Sequence, residues 1–317
     1  MQLQCPIPKI LLPVDGSEDS KRAVQFIGCL GTFLGKGLSG ITVLRVLTGG
    51  YLSRHMANID FRAADIVRDS VIFKRVRDEH IEKNIRPLLD ETEKALRDAG
   101  VVAPIEKLLT DGDAANEILR VANEGNFSTI VMARRGHAEI RGFIGSVTNK
   151  VMHAASRQTV YIVGRQVYKD QACPIPRILV PVDGSPYSMK GVEHAACLAG
   201  NLGGSLGGIT ILRVINIALY MERLKKGIDP EGEAQSILDK AKGAFLRTGV
   251  SESLITTKAN MGNPPEEIMK EAEAEDHSLI VMGRKGRTAL KELLLGGVSS
   301  TVLQRCAKPT IALVSSE

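Results

Sequence analysis

Short apolar runs alternate along the chain with stretches in which apolar residues recur at helical spacing. Residues 10–14, 41–46 and 129–132 are dominated by apolar and β-branched side chains, as is typical of buried strands. The segment between the first two runs has one apolar face, formed by Ala23, Phe26, Ile27, Leu30 and Leu34. Strands separated by helices predict a parallel α/β sheet with helices on both faces.

This order of elements occurs twice, because the sequence itself is repeated. CPIPKILLPVDGS, which ends at Ser17, returns as CPIPRILVPVDGS, which ends at Ser185, and ITVLRV at 41–46 returns as ITILRV at 209–214. Both pairs are 168 positions apart. A period this long predicts two copies of one domain, which we place at residues 1–165 and 173–317 with a short linker between them.

Each copy is predicted to contain five strands. In the first copy they are residues 10–14, 41–46, 105–109, 129–132 and 160–163. In the second copy they are residues 178–182, 209–214, 254–259, 279–282 and 311–314. A long helical region is predicted at 62–99 in the first copy and at 218–248 in the second. Gly136 and Gly286 are only 150 positions apart, so the first copy carries 18 extra residues, which we place within 51–82.

The last strand of each copy would lie at the edge of its sheet. Exposed strand edges tend to be paired or covered. We therefore expect the two copies to pair through residues 160–163 and 311–314, as a pseudo-twofold dimer within one chain.

Composition and charge exclude several classes of protein. The chain is 44% hydrophobic and 24% charged, which is typical of globular domains. Its net charge of +5 is interspersed, and aromatic residues make up only 4%, with no Trp, so neither a basic nucleic-acid-binding face nor a stacking platform is expected. No apolar run approaches the ~18 residues of a membrane span, and no secretory signal is evident. Five cysteines without a Cys-x-x-Cys pair argue against disulfide or zinc frameworks, so we expect a cytoplasmic protein.

Several common catalytic and metal-binding motifs are absent from the sequence. The six histidines show no metal-ligand spacing, and no metal site is predicted from the chain's own residues. There is no Gly-x-Ser-x-Gly nucleophile motif, no Walker loop, and no dinucleotide fingerprint after the first strand.

Two features of the second copy carry candidate chemistry, because ligands of open parallel sheets bind beyond the carboxyl ends of the strands. Asp183 ends the first strand, and a glycine-containing stretch from Gly283 to Ser299 follows the fourth. Glycines let backbone N–H groups approach an anion, and the predicted helix at 298–305 would present its unpaired N–H groups to a phosphate. Arg284, Lys285 and Arg287 would add positive charge, while Asp183 would accept hydrogen bonds from a ribose or an exocyclic amine. The alternative is that these glycines only form turns.

These residues resemble the universal stress protein family in its ATP-binding form. The family's loop has Gly, two residues, Gly, nine residues, then Gly and Ser or Thr, and Gly283, Gly286 and Gly296 match its gaps. Pro181-Val182-Asp183 resembles the family's Pro-x-Asp, and Leu212-Arg213-Val214 resembles its Leu-His-Val. The resemblance implies Rossmann-like domains with strand order 3-2-1-4-5, adenine near Val214, phosphates on the loop, and dimerisation through the last strand. The implied contact residues are Pro181, Val182, Asp183, Val214, Met282, Gly283, Arg284, Gly286, Gly296, Gly297, Val298 and Ser299.

The sequence departs from the family pattern in both copies. Gly297 replaces the loop's final Ser or Thr, and Ser299 is expected to replace part of the lost hydroxyl contact. In the first copy Ala133 replaces the first loop glycine, where its Cβ would obstruct the backbone or the ligand, and the gap from Gly136 to Gly145 is one residue short. We therefore expect binding mainly in the second copy. The weaker first-copy candidates are Asp15, Val46, Gly136, Gly145, Ser146, Val147 and Thr148.

The resemblance implies an ATP-binding sensor or regulator of a stress response that binds ATP, ADP or AMP with an accompanying Mg²⁺. No residue of the loop is an obvious base, so rapid hydrolysis is not expected. The alternatives are a nucleotide-free interaction protein and an enzyme that transfers an adenylyl or phosphoryl group. A homodimer of whole chains is a further expected partner arrangement, whereas nucleic acid and membrane partners are not expected.

Overall fold

The computed structural model describes residues 7–48, 71–135, 144–165, 177–285 and 295–315. Within these residues it is an α/β structure in which ten strands form one sheet. The predicted linker at 166–172, the loop glycines Gly136 and Gly286, and Arg287 lie outside the described residues.

The strands of both repeats follow the predicted order. The first five are β1 (Lys9–Pro13), β2 (Gly40–Leu47), β3 (Ile105–Asp111), β4 (Thr129–Ala133) and β5 (Thr159–Val163). The second five are β6 (Arg177–Val182), β7 (Gly208–Ile215), β8 (Ile255–Met261), β9 (Leu279–Gly283) and β10 (Thr310–Val314). The sheet order β3-β2-β1-β4-β5-β10-β9-β6-β7-β8 confirms the order 3-2-1-4-5 within each repeat.

Helices connect the parallel strands in each repeat. The first repeat has α1 (Glu18–Leu34), α2 (Val71–His80), α3 (Arg86–Asp98), α4 (Ala114–Glu124) and α5 (Ser146–Ala154). The second has α6 (Pro186–Leu202), α7 (Ile217–Lys225), α8 (Pro230–Arg247), α9 (Pro264–Ala274) and α10 (Gly297–Arg305). No helix in the described part of the chain is long and apolar enough to cross a bilayer.

The Asp-Gly-Ser sequence after the first strand of each copy starts a helix in both repeats. Gly16 and Gly184 have φ angles of +84° and +79°, a left-handed conformation that favours glycine. Ser17 and Ser185 then cap α1 and α6, each accepting a hydrogen bond from the N–H group three residues later. The first strand therefore ends in the same turn in both repeats.

The middle helical regions differ between the two repeats. In the first, α2 continues into α3 through a π-helical turn, Ile81–Ile85. In the second, α7 and α8 are separate helices, because Gly227 adopts a φ of +67° and Asp229 caps α8. The single helical region predicted at 218–248 is therefore two helices, and part of the extra segment placed within 51–82 lies outside the described residues.

Strands β5 and β10 join the two repeats at the centre of the sheet. They pair antiparallel, with Tyr161 opposite Ala312, whereas the other described pairings are parallel. This confirms the predicted pairing of the copies through their last strands. The close approach depends on Gly164, since a Cβ there would lie 2.3 Å from the carbonyl oxygen of Lys308.

Both hydrophobic cores extend through both repeats, one on each face of the sheet. In β1, Ile10 and Leu12 point into one core and Leu11 into the other, as the alternation of a strand requires. A polar contact inside the core that contains Ile10 and Leu12 differs between the repeats: the hydroxyl of Tyr161 and Nε2 of His194 are 2.6 Å apart. The repeat-equivalent positions are Ala312 and Phe26, which cannot form this bond.

Candidate functional site

A crevice lies at the carboxyl ends of β6, β7 and β9 in the second repeat. A cavity of about 220 Å³ remains open there, so side chains do not fill it. This is the position where ligands bind in open parallel sheets. Ten residues predicted for the site line it: Pro181, Val182, Asp183, Val214, Met282, Gly283, Gly296, Gly297, Val298 and Ser299.

Asp183 lies on the crevice wall with its carboxylate held by the turn after β6. Its Oδ1 accepts a hydrogen bond of 2.9 Å from the N–H of Ser185. Its own N–H donates to Oγ of Ser188 at 3.3 Å. The carboxylate is half-buried, and the bond from Ser185 fixes its direction at the edge of the crevice.

The N-terminus of α10 forms another part of the crevice wall. Gly296 is the N-cap and has no side chain to bond the first turn. The first intrahelical bond is donated by Ser300 to the carbonyl oxygen of Gly296, at 2.9 Å. The N–H groups of Gly297, Val298 and Ser299 precede it and therefore have no partner within the helix. Together with the helix dipole they favour an anion at this end.

Another part of the wall is formed by apolar side chains, and the sequence predicted few of them. Leu212, Leu219 and Ile268 were not predicted, because nothing in a strand or helix pattern shows which apolar residues border a cavity. Asn216 was also missed. Its place directly after β7 was a usable signal, since Asn is a preferred helix cap, and its Oδ1 accepts from the N–H of Leu219 to start α7.

Two cationic side chains border the crevice. Lys285 is partly exposed, and its Nζ lies 6.0 Å from the centroid of the Tyr187 ring. Arg213 is buried, and its Nη1 donates to the carbonyl oxygen of Val214 at 3.1 Å. The equivalent Arg45 donates to the carbonyl oxygen of Val14 at 3.2 Å. Burial lowers the pKa of Arg45, and the negative charge of Asp15 offsets part of this effect. Both repeats thus place an arginine at the end of the second strand.

Gly283 is required by packing. A Cβ at this position would lie 2.4 Å from the carbonyl oxygen of Tyr187, in the first turn of α6. Gly191 of the same helix is also close, because a Cβ there would lie 3.1 Å from the backbone nitrogen of Gly283. In the first repeat these two glycines are replaced by Ala133 and Ala23. The predicted obstruction by the Ala133 Cβ concerns the loop that begins near Gly136, which lies outside the described residues, so it stays a prediction.

The comparison with known proteins follows the same division into two halves. The sequence model described as Universal stress protein family matches residues 6–163 and again 174–313. The chain belongs to the universal stress protein family. A universal stress protein of Methanocaldococcus jannaschii is 30% identical over 159 residues, which are 47% of this chain and 84% of that protein. One from Mycolicibacterium smegmatis is 25% identical over 73% of this chain and 77% of its own length.

Solved structures share the tandem fold. A universal stress protein from Archaeoglobus fulgidus matches with a TM-score of 0.65 and 21% identity, covering 98% of this chain and 99% of that one. At this identity the likeness shows the fold alone. A universal stress protein solved in complex with cAMP is 20% identical, with a TM-score of 0.35. The match spans 45% of this chain and 98% of that one.

Two predicted universal stress protein loop residues have roles other than those expected. Arg284 does not line the crevice: its guanidinium is buried and donates to the carbonyl oxygen of Met152 in the other repeat. Ser299 lines the crevice, but its hydroxyl donates to the carbonyl oxygen of Gly283 at 2.9 Å. Its equivalent Thr148 donates to Ala133 at 2.9 Å, so this bond ties the helix to the preceding strand in both repeats.

The candidate binding residues of the first repeat have surroundings that differ from those of their counterparts in the second. Asp15 accepts from both the N–H and the hydroxyl of Ser17, at 2.9 and 2.6 Å. Arg135, the equivalent of Lys285, is only 9% exposed, so its charge is less accessible. Val46 is buried, and the remaining described candidates lie at the N-terminus of α5: Gly145, Ser146, Val147 and Thr148.

Proposed function

We propose that the chain binds an adenine nucleotide in the crevice of the second repeat and acts as a nucleotide-dependent regulator of a stress response. One observation carries this proposal: an uncapped helix N-terminus and a carboxylate line the same open crevice. The first favours phosphate, and the second accepts hydrogen bonds from sugar or amine groups.

The phosphate end consists of the first turn of α10 and one accessible cation. The N–H groups of Gly297 and Val298 are available to phosphate oxygens, and Lys285 supplies a positive charge beside them. Charge-assisted hydrogen bonds of this kind are roughly twice as strong as neutral ones. Mg²⁺, where it accompanies ATP, would be carried by the phosphates.

The nucleoside end consists of apolar side chains and Asp183. Leu212, Val214 and Met282 offer a surface on which a flat base can be buried. The carboxylate of Asp183 is fixed by its bond from Ser185, so it can accept a hydrogen bond without reorganising.

We further propose that binding proceeds without rapid hydrolysis. A general base must lie within hydrogen-bond reach of the attacking water. Asp183 is the one carboxylate among the described lining residues, and it belongs to the nucleoside end.

The competing function is that of a nucleotide-free interaction protein. Helix α7 favours it, because Ile217, Met221 and Leu224 recur at helical spacing and are 68%, 49% and 49% exposed. Freshly purified full-length chain decides between the two. Denaturation should release ATP, ADP or AMP, or excess Mg-ATP should raise the melting temperature. If denaturation releases no nucleotide and neither Mg-ATP nor cAMP shifts the melting temperature, the result favours the competing function.

Matched variants test which repeat binds. Asp183→Asn should weaken both ATP and adenosine in calorimetric titrations, whereas Lys285→Met should weaken ATP more than adenosine. Asp15→Asn alters the equivalent carboxylate of the first repeat and is the control. If Asp15→Asn weakens ATP as much as Asp183→Asn does, binding mainly in the second repeat is wrong.

A further inference from the structure

Arg134 and Arg284 are repeat-equivalent residues that directly follow β4 and β9. Their side chains are only 1% and 4% exposed. Burial lowers the pKa of both guanidinium groups to about 10, so both remain charged at neutral pH. Buried charges are costly unless they are well bonded, so the partners of these side chains matter.

Both arginines bond the other repeat, and the two contacts are reciprocal. Nη2 of Arg134 donates to the carbonyl oxygens of Leu303, at 2.5 Å, and Gln304, at 3.1 Å. Its Nη1 donates to Cys306 at 3.1 Å. Arg284 donates to Met152, the repeat equivalent of Leu303. Each guanidinium thus contacts the last turn of the other repeat's final helix.

The acceptors of Arg134 are the carbonyls at the C-terminal end of α10. These groups have no partners within a helix, and a cation there also complements the helix dipole. Helix α10 has nine residues and is therefore only about 13 Å long, with the N–H groups that line the crevice at one end and the carbonyls that Arg134 contacts at the other.

The main chain of each arginine holds the opposite end of the helix in its own repeat. The N–H of Gly296, the N-cap of α10, donates to the carbonyl oxygen of Arg284 at 2.7 Å. The N–H of Gly145, the N-cap of α5, donates to the carbonyl oxygen of Arg134 at 3.0 Å. Helix α10 is therefore held at its start by Arg284 and at its end by Arg134.

We propose that Arg134, in the first repeat, is a positioning residue for the phosphate end of the crevice in the second repeat. This inference rests on the proposed nucleotide function. Arg134 fixes α10 along its axis, and thereby fixes the N–H groups of Gly297 and Val298 against the crevice. The repeats do not function independently, because one provides the charge that positions the other's anion-binding helix.

The reciprocal contact has fewer hydrogen bonds among the described residues. Arg134 donates to three carbonyl oxygens at the end of α10, whereas Arg284 donates to that of Met152 on α5. Each guanidinium has one nitrogen without a partner there, Nε of Arg134 and Nη1 of Arg284, so the difference lies in the number of carbonyl acceptors.

Calorimetric titration of the full chain with Mg-ATP and with adenosine tests this inference. Arg134→Met removes the charge at similar length and should weaken Mg-ATP about 5-fold or more, the lower end of typical coupling between sites. Adenosine, which lacks phosphates, should bind within about 2-fold of wild type, the usual spread for a change that does not couple to the ligand. Arg134→Lys keeps the charge but cannot bond three carbonyls at once, so its loss of Mg-ATP affinity should be intermediate.

Arg97→Met is the matched control. Arg97 also donates to two main-chain carbonyls, of Val101 and Ala103 at 2.8 Å each, but within the first repeat. Arg97→Met should leave the affinities for Mg-ATP and for adenosine unchanged.

The outcomes separate the two proposals. Wild-type chain that binds neither ligand would overturn the proposed function and this inference with it. If the wild-type chain binds both ligands, two results would overturn the positioning role alone. Arg134→Met could bind Mg-ATP as tightly as wild type, or it could lose as much affinity for adenosine as for Mg-ATP. If Arg134→Met does not fold, Arg134→Lys decides: a loss of Mg-ATP affinity alone supports the role, and wild-type affinity contradicts it.

Discussion

Gly283 and Tyr187 approach so closely that a Cβ at position 283 would lie 2.4 Å from the carbonyl oxygen of Tyr187. This contact brings the first turn of α6 against the end of β9, beside the crevice. The corresponding strand end in the first repeat carries Ala133. The two repeats therefore share a fold but differ in the spacing of helix and strand next to their candidate sites.

Replacing Gly283 by Ala should destabilise the chain by about 1–3 kcal/mol, because the backbone of α6 must move to admit the methyl group. Urea unfolding of wild type, Gly283→Ala and a matched variant measures this change in the free energy of unfolding. The matched change, Ala133→Gly, should cost at most about 1 kcal/mol, since it adds no atom to the first repeat. Equal stability of Gly283→Ala and wild type would contradict the packing role.

Replacing Gly297 by Ser should strengthen ATP binding. A Cβ at position 297 meets no atom within 4 Å, so the hydroxyl typical of the family's loop can be added without a clash. One extra neutral hydrogen bond corresponds to about 0.5–1.5 kcal/mol, or roughly 2- to 10-fold in affinity. Titrations with ATP and adenosine should show the gain for ATP alone, and a gain for both would place the hydroxyl elsewhere.

Replacing Gly164 by Ala should weaken the junction of the repeats. The added Cβ would lie 2.3 Å from the carbonyl oxygens of Lys308 and Pro309, so β5 and the segment before β10 must separate. We expect a loss of about 1–3 kcal/mol in urea unfolding. Gly204→Ala is the control, since a Cβ there meets nothing within 4 Å. Similar losses in both variants would contradict this origin.

His194 should make stability depend on pH. Burial lowers its pKa to about 4, whereas an unfolded histidine titrates near ~6.5. The unfolded chain therefore binds a proton first, and stability should fall as pH decreases from about 6.5 to about 4, by up to ~1.4 kcal/mol per pH unit.

His194→Phe, which copies the first repeat's Phe26, isolates this effect. Burial also lowers the pKa of His277, but His277 is present in both proteins and cancels in the comparison. Stability measured by urea unfolding from pH 4 to 7 should be less dependent on pH in the variant. Parallel curves for the two proteins would exclude His194 as the source.

The strand pattern and the repeat predicted the α/β class, the positions of the strands and the two copies, because apolar periodicity reports burial directly. The strand order 3-2-1-4-5 came from the resemblance to the family. Strands β1 to β10 lie where the apolar runs predict them, and the tendency of exposed strand edges to be paired predicted that β5 and β10 meet. The split of the region after β7 into α7 and α8 was missed, since it depends on one glycine with positive φ at 227.

The candidate site was less predictable from the sequence. Motif spacing located Asp183 and the N-terminus of α10, which are defined by local sequence. Arg284 was misassigned to the loop's positive charge, because a side chain that crosses to the other repeat depends on packing of the repeats that no local pattern contains. Apolar lining residues such as Leu219 were missed because a strand or helix pattern does not show which apolar residues border a cavity.

Fusion of the two halves in one polypeptide has a genetic consequence. Two identical chains that pair through β5 and β10 would carry every substitution on both sides. In this chain Gly283 can coexist with Ala133, and Lys285 with the buried Arg135. A substitution at a crevice residue can thus change the lining of one crevice without introducing the same residue into the other.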